Sequence, residues 1–138
     1  MSDKKFATAI NCMDGRTQIP VIKWLKKEYN IDYVDMITEP GPNKILAENT
    51  DKALVESIKR RVDISVNKHH SRIIAIIGHH DCAGNPTDKE TQLHQINSAI
   101  KNIKKWGYNT EVVGLWVDEP RPCTQERGEN WRVDKVEE

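Results

Sequence analysis

The sequence predicts an α/β fold: an open parallel sheet of about four strands, in the order 2-1-3-4, flanked by helices. Three observations carry this. Short apolar runs alternate with longer amphipathic stretches, the pattern of strand–helix–strand units joined by right-handed crossovers. The run from Arg72 to Gly78 is apolar without alternation, as in a central parallel strand covered on both faces. Leu54, Ile58, Val62 and Val66 recur every four positions and mark one face of a long helix. At 138 residues the chain is long enough for one core, and residues 1–138 are expected to form one domain.

Each element has a local reason. The first strand, about residues 5–12, contains the apolar run Phe6-Ala-Thr-Ala-Ile10. A helix then starts at Thr17 or Gln18, with Pro20 in its first turn, where a missing N–H is tolerated. Val21, Ile22, Trp24 and Leu25 supply its apolar side, and it ends near Asn30. The second strand covers about residues 33–37, and Thr-Glu-Pro-Gly-Pro at 38–42 reads as loop. The long helix spans about residues 50–68, and the third strand 72–78. Asn85-Pro86-Thr87 turns the chain into a helix over about 88–106, with Leu93, Ile96, Ile100 and Ile103 inward and Gly107 as its stop. The fourth strand covers about residues 110–117. From about residue 119 the tail, with two prolines and many charges, is expected to be irregular.

Charge and composition narrow the function classes. The chain has 21 basic and 21 acidic residues, so nothing points to nucleic acid or an anionic membrane as partner. The first residues are polar, and no apolar run approaches the roughly 20 residues of a membrane helix. A soluble, cytoplasmic protein is expected. Three cysteines make a disulfide framework a poor reading, and metal binding is the better use for them.

Two segments carry the chemistry. Cys12 sits in Asn-Cys-Met-Asp-Gly-Arg, directly after the first strand. His79 and Cys82 sit in Gly-His-His-Asp-Cys, directly after the third. In the order 2-1-3-4 these strand ends flank the point where the connections reverse direction, which is where open α/β sheets bind ligands. Two thiolates and an imidazole there suit a zinc ion with three protein ligands and a free fourth position, the arrangement of a catalytic site. His79 is the expected ligand. His80 points the opposite way if the strand persists, so it is expected to be solvated or to support the ligands. Asp14 has three possible roles: closing the site as a fourth ligand, accepting a hydrogen bond from zinc-bound water, or pairing with Arg16 in a rigid fork. Cys123, after Pro120-Arg-Pro122, reads as a stray thiol, with ligation of a second metal as the alternative.

Cys12-Met-Asp14-Gly-Arg16 resembles the Cys-x-Asp-x-Arg motif of β-class carbonic anhydrases, and Gly78-His79-His80-Asp81-Cys82 resembles their Gly-His-x-x-Cys motif. Motif order and strand placement agree over roughly residues 5–118. The resemblance implies a zinc ion on Cys12, His79 and Cys82, with Asp14 and Arg16 as the catalytic dyad. It also implies reversible hydration of carbon dioxide to bicarbonate by a zinc-bound hydroxide. Close relatives resemble hydrolases of carbon disulfide or carbonyl sulfide, and a non-catalytic zinc module closed by Asp14 is a further alternative. A homodimer or higher assembly is implied too, and a sheet with exposed edges supports it. The tail from Glu119 to Glu138, with Trp131 in a polar setting, is a candidate to pack on the neighbour. The chain departs from the family pattern at Glu39-Pro-Gly-Pro-Asn43, where an Arg-Asn-Ala-Gly-Asn-like stretch is common, and at Ala83-Gly84, where Gly-Ala is usual.

Overall fold

The computed structural model describes residues 4–120 and 131–138. It contains β1 (Phe6–Asn11), a 3-10 turn (Gly15–Thr17), α1 (Gln18–Tyr29), β2 (Tyr33–Thr38), α2 (Pro42–Glu48) and α3 (Lys52–Lys68). There follow β3 (Ile73–His79), α4 (Lys89–Lys104), β4 (Glu111–Asp118) and β5 (Arg132–Lys135). The strand order is β2-β1-β3-β4-β5. The first four strands are parallel, and β5 pairs antiparallel with β4 from Asp118↔Arg132 to Leu115↔Lys135.

The expected order of the four parallel strands holds, and two expectations are corrected. The sheet is mixed and five-stranded, because part of the tail expected to be irregular forms β5. Its sequence, Arg-Val-Asp-Lys, has one apolar residue and no alternation to read, so its pairing with β4 makes it a strand. Residues 38–42 are not all loop. Thr38 ends β2, and Pro42 begins α2, a seven-residue helix with proline in its first turn. Cys123 lies outside the described residues.

Crossover direction decides which face each helix covers. The step from β1 to β2 goes one way, and those from β2 to β3 and β3 to β4 go the other. Right-handed crossovers therefore put α1 on one face and α2, α3 and α4 on the opposite one. Strand β3 is buried along its whole length and serves both faces. Ile74 and Ile76 join Ile58, Val62, Ile96 and Ile100 on the three-helix side. Ile73, Ala75 and Ile77 join Val21 and Leu25 on the α1 side. The buried face of α3 is Val55, Ile58, Val62 and Ser65, with Leu54 and Val66 on its flanks. A strict spacing of four drifts around a helix of 3.6 residues per turn, which is why the outer two fall to the edge.

Registers open the crevice. The β1–β3 ladder stops at Ile10↔Ile76. The β1–β2 ladder continues to Asn11↔Thr38, and β3–β4 continues to His79↔Val117. The two central strands thus part at their carboxyl ends, each still held by its outer neighbour.

Gly114 in β4 tests the packing under α4. A Cβ there would lie 2.3 Å from Ile96 Cγ2 and 3.2 Å from Ile100 Cδ1. Gly114→Ala is expected to destabilise the fold by about 1–3 kcal/mol through overpacking, read as a lower urea midpoint at unchanged slope.

Candidate metal centre

The crevice brings Cys12, His79 and Cys82 together. Cys12 directly follows β1, and His79 is the last residue of β3. Asp81, at φ 58°, turns the chain so that Cys82 folds back toward His79, and Asp adopts that left-handed conformation more readily than most residues. All three side chains are buried, and their ligand atoms lie within 4.8 Å of one another. The two sulfurs are 3.8 Å apart. That is too far for a disulfide. It agrees with the spacing of about 3.8 Å for two thiolates bonded at about 2.3 Å to one tetrahedral ion.

His79 presents its free nitrogen to the sulfurs. Its Nδ1 lies 2.8 Å from the His80 carbonyl, so Nδ1 carries the proton and donates it there. Nε2 is buried with no hydrogen-bond partner among the described residues, which leaves a lone pair aimed into the site. An orphaned imidazole nitrogen beside two sulfurs fits zinc well. His80 takes no part in the cluster. Its N–H continues the ladder to the Val117 carbonyl, and its ring is exposed beside Asp118 and Glu119.

The thiols share a proton. The Cys82 thiol beside it lowers the Cys12 pKa. Burial opposes this shift, while His79 and the backbone N–H groups of Gly41 and Asp14 assist it. Cys82 is raised, by its bond to Cys12 and by burial. Burial disfavours a charged His79, but the Cys12 sulfur and the His80 carbonyl outweigh it and raise its pKa. A divalent cation would displace the shared proton, because thiolate and neutral imidazole are the ligating forms.

Asp14 and Arg16 form the expected fork. Arg16 Nε donates to Asp14 Oδ1 at 3.0 Å, and Nη2 donates to Oδ2 at 2.6 Å. The Arg16 backbone N–H adds a third bond to Oδ1 at 2.9 Å. These bonds hold the Asp14 carboxyl at a pKa of about 2 and push Arg16 up. Asp14 Oδ2 is 4.0 Å from His79 Nε2, yet Asp14 is not one of the mutually close ligand atoms. The loop is braced from below, since Gln18 Nε2 donates to the carbonyls of Cys12 and Asp14 at 2.8 and 3.0 Å.

A family model described as "Putative carbonic anhydrase" matches residues 2–137. The chain belongs to this carbonic-anhydrase-like family. No curated protein matches it.

Several residues around this cluster escaped the sequence reading. Gln92 is fully buried and clamps the His79 backbone from α4, accepting from its N–H at 3.2 Å and donating to its carbonyl at 2.8 Å. Asn43 donates to the same Gln92 oxygen at 3.1 Å. Gly78 leaves room for both, as a Cβ there would lie 2.9 Å from each amide. The legible signal was position: Gln92 precedes Ile96 by four residues and so lies on the apolar face of α4. The two departures from the family pattern touch each other. A Cβ on Gly41 would lie 2.9 Å from the Gly84 carbonyl oxygen, and one on Gly84 would lie 2.7 Å from Pro40.

Metal analysis checks the ligand set. Cys82→Ala and His79→Ala are expected to lose zinc, and His80→Ala to retain it. Gln92→Ala is expected to weaken zinc binding about 10- to 100-fold, as for other groups that orient a ligand, measured by chelator competition. Zinc occupancy should fall as pH is lowered, since protons compete for the two sulfurs and the imidazole. Full occupancy in Cys82→Ala would show that the metal sits elsewhere.

Proposed function

We propose that the chain catalyses the reversible hydration of carbon dioxide to bicarbonate, with zinc held by Cys12, His79 and Cys82. One observation carries the reading: the unpartnered His79 Nε2 faces two buried sulfurs, beside a carboxylate that Arg16 keeps ionised. When bound, zinc supplies Lewis acidity that makes water a nucleophile at accessible pH. In the net reaction water oxygen bonds to the carbon, one C=O bond gives up its π pair to oxygen, and one proton leaves.

The chain's own groups supply orientation. Asp14 Oδ2 accepts a hydrogen bond from the attacking oxygen and aims its lone pair at carbon. Arg16 keeps Asp14 in its acceptor form. The sign is plain: a carboxyl depressed to about 2 stays ionised at all working pH values. Its contribution to stability is present above about pH 4 and is lost as pH falls toward 2. Any fall in activity at mild acidity therefore comes from other groups. Three bonds from Arg16 also restrain Asp14 from turning onto the metal, which supports an open fourth position over a closed, non-catalytic module.

A second reading is hydrolysis of carbon disulfide or carbonyl sulfide, motivated by the loops at 39–43 and 83–84, whose sequences differ from the β-class carbonic anhydrase pattern that the motifs resemble. Those loops border the site and depart from the family pattern, so they are where a different small substrate would be admitted.

Stopped-flow assays of the zinc-loaded chain are expected to show carbon dioxide hydration rising with pH, with a midpoint above neutrality because two thiolates donate more charge than imidazoles. Asp14→Ala and Arg16→Ala should each lower kcat about 10²- to 10³-fold, and the double variant should lose little more. A rate equal to buffer in fully loaded protein rejects the hydration reading. Turnover of carbon disulfide or carbonyl sulfide by the same sample would move the assignment to that hydrolysis.

A further inference from the structure

Trp131 packs on residues of its own chain. It stands immediately before β5, and its ring covers the Arg16 guanidinium, whose central carbon lies 4.7 Å from the ring centroid. Its apolar part packs against the core cluster on the α1 side. The ring also lies tilted against His80, with centroids 6.1 Å apart.

Strand direction explains how a residue so late in the chain reaches the site. An antiparallel strand starts where its neighbour ends. Strand β5 therefore begins beside Asp118, the last residue of β4, at the sheet edge that carries His79. Arg132 fastens that start, with Nη2 3.6 Å from Asp118 Oδ2 and Nε donating to the Glu119 carbonyl at 3.3 Å. A parallel fifth strand would begin at the opposite edge, far from Arg16.

The in-plane bonds of Arg16 are already taken. Nε and Nη2 hold Asp14. Nη1 donates to Asp81 Oδ2 at 3.3 Å, and Nη2 also donates to the Asp81 carbonyl at 3.0 Å. These bonds set the guanidinium within its plane but resist tilting only weakly. Its side chain is 38% exposed, so water reaches it. An indole face laid over the plane opposes the tilt and shields the N–H groups, and indole is the strongest aromatic partner for a cation.

We infer that Trp131 is a positioning residue for the Asp14–Arg16 pair, clamping the face of Arg16 so that Asp14 keeps one orientation beside the metal site. Its kinetic consequence rests on the carbon dioxide reading, whereas the clamp itself does not.

Nitrogen-15 NMR of the full chain tests the clamp through the Arg16 Nε–H signal, assigned by its loss in Arg16→Lys. In the native chain the signal should carry a ring-current shift and exchange slowly with water. Trp131→Leu keeps apolar volume without a π face. It should abolish the shift and speed exchange about tenfold, while Trp131→Phe retains most of both. Kinetically, Trp131→Leu should lower kcat about tenfold with KM within about twofold, and Trp131→Phe should recover most of the loss. An unchanged Arg16 signal in Trp131→Leu overturns the clamp, and unchanged kcat alongside a changed signal overturns the positioning role. A native chain inactive toward carbon dioxide whose Arg16 signal responds as expected overturns the proposed function and leaves the clamp standing.

Discussion

Everything at the site depends on where the β1–β3 pairing stops. Two parallel strands hydrogen-bonded to their ends would leave no space between their last side chains. Here the ladder ends at Ile10↔Ile76, while β2 and β4 go on holding the outer edges. The central strands part by the width of the three-residue cluster. Cys12 and His79 face each other across the gap from positions that a continuous core makes rigid. Cys12 and His79 are thus placed by strand register, which is a precise way to hold a site, while the turn at Asp81 brings Cys82 back to them.

A gap of this kind exposes backbone, and the chain fills the demand with amides. Gln92 pairs with both backbone groups of His79, Asn43 pairs with Gln92, and Gln18 ties the Cys12 and Asp14 carbonyls. A buried polar group left unpaired is costly, so Gln92 and Gln18 both satisfy backbone groups and fix functional residues, and Asn43 braces Gln92. Gly78 belongs to the same device, since its missing Cβ is the space that the Gln92 and Asn43 amides occupy.

Charge follows the same division. The sulfurs are buried and bonded by backbone N–H groups, which temper the charge of thiolates in a dry place. The Asp14–Arg16 fork stands at the rim, where partial solvation makes an ion pair affordable. Strand β5 then returns from the tail and lays Trp131 over the exposed side of that fork. The loops at 39–43 and 82–85 close against each other through Gly41 and Gly84.

Local pattern determined where the four parallel strands and helices α1, α3 and α4 lie and which motif residues follow the first and third strands. Those features are written in periodicity and in spacing along the chain, whereas the order 2-1-3-4 rests on an assumed pairing of the first and third strands that the fold bears out. What local pattern could not determine were the short or polar parts. Helix α2 has seven residues, too few for a period to emerge, and is defined by packing against α4. Strand β5 has four, and only β4 beside it makes them a strand. Gln92 reads only as a polar residue out of place on the apolar face of α4 until the backbone of His79 meets it. Nothing local ties Trp131, in its charged tail, to the site until an antiparallel pairing carries it to Arg16. Each of these is decided by a partner distant in sequence, and such contacts exist only once the chain has folded.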